Sequence, residues 1–267
     1  MAIKFIDVKC EHIFKNLNLE IKTNEITSIV GKNGSGKTRL LNLIFGLDLN
    51  FSGKIVIGKK NICDKMKRLN LEKLRADIFY LSQTYQNQLF NVNALEDIKY
   101  DIPNFDMIKL DELLKSFCLD REILKKNYSE LSNGEMKKIL LISMFIGNKK
   151  IILLDDPTSD LDQKSISTLI KLLKKAKRDG KMIIITSQNS EFLLSVSDKI
   201  LILDNGNLME QKNKYDFFSN GELLNKCGLT MPNVLQFRQK VLERKNIKLV
   251  YRDNINDLIK DIYRSAK

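Results

Sequence analysis

The stretch Gly31-Lys32-Asn33-Gly34-Ser35-Gly36-Lys37-Thr38 constrains the fold of this chain more than any other. It satisfies the pattern G-x-x-x-x-G-K-[ST] without a mismatch, between a strand-like run from Glu25 to Val30 and a helix-like run from Arg39 to Phe45. Glycines in such a loop let the backbone turn so sharply that successive N–H groups converge on phosphate oxygens, and the positive end of the following helix faces the same point. Lys37 then reaches the β- and γ-phosphates of a nucleotide, and the Thr38 hydroxyl ligates Mg2+.

A loop of this kind needs a strand before it and a sheet around that strand. Residues 2–8 and 17–30 read as strands, 51–58 as a hairpin-like strand and 78–82 as a short one. From Leu95 to Gly147 the apolar spacing turns helical, with Leu110, Leu113, Leu114 and Phe117 on one face and Ile139, Ile142, Ser143 and Ile146 on another. Strand patterns return at Lys150 to Leu154, Met182 to Thr186 and Ile200 to Leu203, the first two each followed by a helix. This order predicts an α/β fold, a parallel or mixed sheet interrupted by a helical insert. A chain of 267 residues holds one such domain, alone or with a small appendage.

Composition narrows the setting. No apolar run approaches the roughly 18 to 20 residues of a membrane span, so a soluble or peripheral protein is expected. The first residues, Met1 to Asp7, read as a strand and lack the apolar core of a signal peptide. Cys10, Cys63, Cys118 and Cys227 are scattered, which fits reduced thiols in a cytosolic protein. The net charge of +12 admits an anionic partner, with lipid headgroups ahead of nucleic acid. Its lysines are nevertheless spread through helices, as solvated faces would be.

Two further segments carry chemistry. The run Lys150 to Leu154 ends in Asp155-Asp156; a continuous apolar strand suits burial on both faces, and its end would bring Asp155 beside the phosphate loop to hold Mg2+ through water. Two acids at a strand end also suit a solvated turn. In Leu131-Ser132-Asn133-Gly134-Glu135, a serine and a glycine at a helix start make a second anion site, one that cannot fold back onto its own chain's phosphate loop. Ser132 and Glu135 also have the spacing of an ordinary capping box.

Taken together, these motifs resemble those of the ATP-binding-cassette (ABC) proteins: Walker A at 31–38, a glutamine loop at Gln83, a signature at 131–135, Walker B ending at Asp155 and a D-loop at Ser159-Asp160-Leu161-Asp162. The resemblance covers residues 1–212 and implies an ABC-type P-loop ATPase with a mixed-sheet core and a helical signature subdomain. It also implies a head-to-tail dimer in which ATP lies between the Walker motifs of one chain and Ser132 and Gly134 of the other, with Thr38, Gln83 and Asp155 around Mg2+. On this scheme residues 1–215 form the ATP-binding domain, with 84–147 as its helical subdomain, and 216–267 a helical extension.

A narrower resemblance is to the ATPases of energy-coupling-factor (ECF) importers, the CbiO-like group. It rests on Gln88-Leu89-Phe90 with Leu95-Glu96-Asp97-Ile98, and on the tail from Gly228 to Phe237 and Leu242 to Ile247. It implies a second ATPase subunit, a transmembrane T component and an S component that binds a vitamin or metal ion, with the ATPase on the cytoplasmic face of the membrane and no nucleic acid involved. The groove that would receive the T component has Gln86 and Asn87 where the family usually has acids. The amphipathic patterns Val234-Phe237-Val241-Leu242 and Ile255-Leu258-Ile259-Ile262 would add dimer contacts.

The chain departs from the family where ATP is hydrolysed. Asp156 stands where a glutamate is usual, and Gln188 falls at the switch histidine's place. A carboxylate set back by one methylene, about 1 Å, can lose on the order of a hundredfold in rate. Gln188 can donate a hydrogen bond to a γ-phosphate but carries no charge. The signature has Asn133 for glycine and Glu135 for glutamine. His12, the chain's one histidine, falls by alignment near the aromatic residue that stacks on adenine, and a surface loop position is an equal reading. Slow hydrolysis in one half of an ATPase heterodimer is therefore expected, with a regulatory subunit that does not hydrolyse, or the ATPase of another ABC transporter, as the alternatives.

Overall fold

A computed structural model describes residues 1–11, 13–62, 68–102, 104–211 and 213–245. The chain starts as two antiparallel strands, β1 (Ala2–Cys10) and β2 (Phe14–Lys22), and then enters the central strand β3 (Ile26–Val30). The single strand expected over 17–30 is thus two, in different sheets. Asn24 takes a left-handed turn (φ 67°) between them, which asparagine tolerates better than most residues. Burial explains the separation: β2 buries Leu17 and Ile21 and exposes Asn18 and Glu20 between them, as a half-covered strand does, whereas all of β3 is buried.

After the glycine loop comes α1 (Lys37–Phe45), followed by the hairpin β4 (Ser52–Ile57) and β5 (Lys60–Ile62), helix α2 (Arg68–Arg75) and strand β6 (Ile78–Leu81). The helical insert follows as α3 (Ala94–Asp101), α4 (Met107–Ser116) and α5 (Asn133–Ile146). The chain then alternates through β7 (Ile151–Asp155), α6 (Gln163–Arg178), β8 (Met182–Thr186), α7 (Ser190–Val196), β9 (Lys199–Asp204) and β10 (Asn207–Gln211). It continues with α8 (Lys214–Ser219), α9 (Gly221–Cys227) and α10 (Asn233–Lys245).

Two sheets result. One runs β10-β9-β3-β8-β7-β6, parallel except for β10, and the other runs β2-β1-β4-β5, antiparallel. The first is the mixed sheet that the alternation predicts; the second was not legible as a sheet. Helix α1 packs in the core between them: Leu40, Leu41, Leu43 and Ile44 share a cluster with Ile3, Phe5 and Ile55 of the antiparallel sheet and with Ile151, Leu153 and Ile184 of the mixed one. On the opposite face Ile152, Leu154, Ile183 and Ile185 pack with α5, α6 and α7. The apolar runs therefore split by their period of two into two cores, which is why they show no polar alternation.

The face of Leu110, Leu113, Leu114 and Phe117 is buried as expected, while α5 is buried nearly all round and starts at Asn133 because Ser132 caps it. Phe217, Phe218, Leu224, Leu229 and Leu235 join the cluster around α7. The pattern Ile255 to Ile262 lies outside the described residues.

Asp162 caps α6 by accepting from the Ser165 amide at 2.8 Å, and it takes the Lys138 ammonium of α5 at 2.7 Å. The Lys138 contact first, and the Ser165 amide next, hold its carboxyl well below the usual range. A carboxyl depressed by folding stabilises above its unfolded pKa and loses that contribution as pH falls. Asp162→Ala is therefore expected to cost about 1 kcal/mol at neutral pH, a difference that shrinks on acidification below about pH 4; urea unfolding of both proteins across pH measures it.

Candidate functional site

The loop between β3 and α1 wraps the first turn of the helix. Gly36 caps that turn in a left-handed conformation (φ 102°), and a Cβ there would lie 2.5 Å from Ile13 Cγ2, so only glycine fits. No acidic side chain occupies the first turn of α1, and its free N–H groups face outward toward the loop. The Ser35 hydroxyl is buried with no hydrogen-bond partner among the described residues. Orphaned donors around a positive helix end suit a phosphate group.

Lys37 folds over the loop, its ammonium donating to the carbonyls of Gly31 at 2.7 Å and Lys32 at 2.9 Å. Burial pushes its pKa down, against the opposing pull of Asp155. A neighbouring phosphate would replace those carbonyls with a full counter-charge.

Asp155 ends β7 and is almost wholly buried. Its carboxylate accepts from the Thr38 hydroxyl at 2.6 Å on one oxygen and from the Thr186 hydroxyl on the other. The register explains the second contact, because Asp155 pairs with Thr186 across parallel β7 and β8. Thr38 and Asp155 are hard oxygen donors beside the phosphate loop, a set that fits Mg2+ held partly by phosphate and water.

Asp156 turns out of the strand in a left-handed conformation (φ 49°), its amide bonded to the Thr186 carbonyl at 2.9 Å and its carboxylate accepting from the Ser187 hydroxyl at 3.1 Å. Gln188, beyond β8, donates its side-chain amide to Asn33 of the loop. Gln83, exposed beyond β6, completes a cleft of 370 Å³ with Gly34, Gly36, Lys37, Thr38, Asp155, Asp156 and Gln188. Segments far apart in sequence thus converge on one point.

A second cavity of 580 Å³ shares Ile13, Asn33 and Gly34 with this cleft and extends over Cys10, Lys15, Lys32, Ser35 and Asp204 to Gly206. Burial pushes the Cys10 thiol up, so it presents a neutral wall. The β9–β10 turn was missed as part of the site, although Asn205-Gly206 is a recognisable tight-turn pair, with φ 48° and 77°. His12 lies outside the described residues.

Ser132 and Gly134 line neither cavity. At the start of α5, the Ser132 amide and hydroxyl both donate to the Glu135 carboxylate at 2.8 Å, and Ser132 Oγ accepts from the Glu135 amide at 3.3 Å. These bonds from Ser132 hold the Glu135 carboxyl below its ordinary range. An anion brought to this helix end meets a carboxylate already in place.

The ABC transporter family model matches residues 14–159. An energy-coupling factor transporter ATP-binding protein EcfA2 of Leuconostoc mesenteroides is 28% identical over 263 residues, covering 92% of each chain. The protein of the same name from Streptococcus pyogenes is 26% identical over 235 residues, covering 86% of this chain and 84% of that one. Among solved structures, cbiO1 of Clostridium perfringens, part of the ABC transporter complex cbiONQ, is similar with a TM-score of 0.68 at 25% identity, over 89% of this chain and 98% of that one. A dimeric ATP-binding cassette bound to ADP and Pi in a post-hydrolysis state is similar with a TM-score of 0.69 at 28% identity, over 79% of this chain and 98% of that one.

Because Ser35 Oγ is buried without a partner among the described residues, removing it relieves a cost in the free protein and deletes a donor for phosphate. Ser35→Ala is expected to leave the melting temperature of the nucleotide-free protein unchanged or raised, and to weaken ATP binding by about tenfold. Thermal unfolding and equilibrium nucleotide titration read the two effects separately.

Proposed function

The chain belongs to the ABC transporter family, and we propose that within it this protein is an ATP-binding and ATP-hydrolysing subunit of an energy-coupling-factor importer. The observation that carries the ATPase reading is the convergence of Lys37, Thr38, Asp155, Asp156 and Gln188 on one cleft at the ends of β3, β7 and β8. The narrower class is supported by relatives that bear the energy-coupling factor name along nearly their whole length.

In this reading residues 31–38 wrap the phosphates, Lys37 neutralises the β- and γ-phosphates, and Thr38, Asp155 and Gln83 hold Mg2+, which supplies charge neutralisation on the phosphoryl group when bound. Asp156 orients the attacking water and Gln188 donates to the γ-phosphate. Cys10, Ile13 and the 204–206 turn offer the walls for the base, with His12 as a stacking candidate. Ser132 and Gly134, which do not line the chain's own cleft, serve the site of a second ATPase.

The fold also offers a seat for the membrane partner. Beside Gln83 lies an apolar groove of 750 Å³ lined by Leu47, Phe79, Leu89, Phe90 and Tyr100, with Phe90 82% and Tyr100 80% exposed. Aromatic side chains so exposed mark a docking surface, and coupling helices of a T component are its proposed occupants. Asn87 lines it without charge, so an ion pair with them would fall to Arg75, Asp97 or Lys149, which line it too. No helix among the described residues is long and apolar enough to cross a membrane, in keeping with a peripheral subunit at the cytoplasmic face that powers uptake of a micronutrient, a vitamin or metal ion selected by an S component.

Asp156 and Gln188 support a slow site in one half of a heterodimer, with residues 1–215 as the cassette and 216–267 as an extension that joins the halves. The same two residues also support a second reading, a regulatory subunit that binds ATP without hydrolysing it.

Purification of the chain with a second ATPase and a polytopic membrane protein from detergent-solubilised membranes supports the transport reading; recovery with DNA or ribosomes ends it. Phe90→Asp is expected to abolish that recovery without altering nucleotide binding. In single-turnover assays of the pair, Asp156→Glu should raise this chain's own rate by about tenfold or more. If Asp156→Ala, rather than loss of the partner's general base, stops the fast phase, this chain holds the active site and the assignment of halves is reversed.

A further inference from the structure

One charged side chain near the cleft is buried beneath the loop that follows β7. Lys137, in the second turn of α5, is 1% exposed. Its ammonium donates to the backbone carbonyls of Asp156 at 3.1 Å and Ser159 at 3.0 Å and to the Ser159 hydroxyl, using its three donors. It also lies 4.8 Å from the centre of the Tyr85 ring and 3.9 Å from the Asp160 carboxylate. Tyr85 closes the circuit, its hydroxyl donating to the Asn133 carbonyl at 3.0 Å and to Asp160 at 3.2 Å.

Burying an ammonium is costly, and packing alone would be served better by methionine. What methionine would not do is satisfy the inward-facing oxygens of the loop from Asp156 to Asp160. That loop is held at both ends in the left-handed region, with φ 49° at Asp156 and 60° at Asp160, a conformation that persists only when its surroundings impose it. A close approach braces it further, since a Cβ on Gly134 would lie 2.6 Å from the Asp160 carbonyl oxygen. Burial pushes the pKa of Lys137 down, and the carboxylates of Asp160 and Asp156 act against that shift.

We propose that Lys137 is a positioning residue for ATP hydrolysis: by gripping the Asp156 carbonyl and Ser159 it sets where the Asp156 carboxylate stands over the phosphate cleft. The proposal rests on the reading of Asp156 as the group that orients water. The same three donors fix the loop to α5, so the first turn of that helix and the Asp156 side chain keep one relative position.

The test uses the full chain assembled with a partner ATPase whose own general base has been removed, so that kcat reports this chain's site, and compares Lys137→Met, Lys137→Gln and Asp156→Ala. Lys137→Met is expected to leave MgATP affinity and KM unchanged, to lower kcat by about tenfold or more, and to accelerate hydrogen exchange at the amides of residues 157–161. Lys137→Gln, which keeps two N–H donors, is expected to restore part of the rate and part of the protection. An unchanged kcat in Lys137→Met, unchanged exchange in the loop, or a parallel loss of nucleotide affinity would overturn the proposal. Asp156→Ala separates the two readings. If it lowers kcat while Lys137→Met does not, only the role of Lys137 falls; if it leaves kcat unchanged, the reading of Asp156 falls and the role of Lys137 with it.

Discussion

Burial of β3, β7 and β8 on both faces is the constraint from which the site follows. Strands covered on two sides are largely apolar, with Thr27 and Ser28 the buried polar residues within β3, and they run parallel because helices cross over to cover them. Parallel strands end on the same side, so Asp155, Asp156, Thr186 and Ser187 gather next to the loop that leaves β3, where Thr186 donates to Asp155 and Ser187 to Asp156. Where one strand stops relative to its neighbour decides which oxygens meet. The pairing of Asp155 with Thr186 is a matter of register before it is a matter of chemistry.

How much of this was legible follows from the range of each signal. The glycine loop, the β7 strand and the capped start of α5 announce themselves within a few residues; β7 is offset by one residue from the expected Lys150–Leu154, and α5 begins at Asn133, three residues before the expected Met136. The break between β2 and β3 was missed because Thr23-Asn24-Glu25 carries neither glycine nor proline, and a left-handed asparagine leaves little trace in an apolar pattern. The antiparallel sheet was missed because β3, the loop and α1 separate its two hairpins in sequence, and only the long-range ladder between β1 and β4 joins them. Lys137 read as one of many solvated lysines, yet it stands four and seven residues before Leu141 and Met144, on their buried stripe. A lysine in register with an apolar face was the available signal.

The +12 charge of the whole chain says little about the site, where two lysines act at short range. Lys37 folds over the phosphate loop onto the Gly31 carbonyl, and Lys137 donates to the Asp156 carbonyl in the loop that follows β7. Both have their pKa lowered chiefly by burial. Ammonium groups held this way interact strongly because little water intervenes. Glu135 is the counterpoint, a carboxylate that already occupies the helix end a second molecule's phosphate would approach.

The position of β3 in the sheet has a consequence for biosynthesis. Both of its neighbours, β8 and β9, come from residues 182–204, so a strand made early stays bare along both edges until much of the chain has left the ribosome. Pairing over such a separation is slow, and an exposed apolar strand is open to wrong partners in the interval. The antiparallel sheet and α1, which depend on nearer contacts, offer it cover on one side only. The phosphate loop can therefore take its shape only after residues 182–204 have been made.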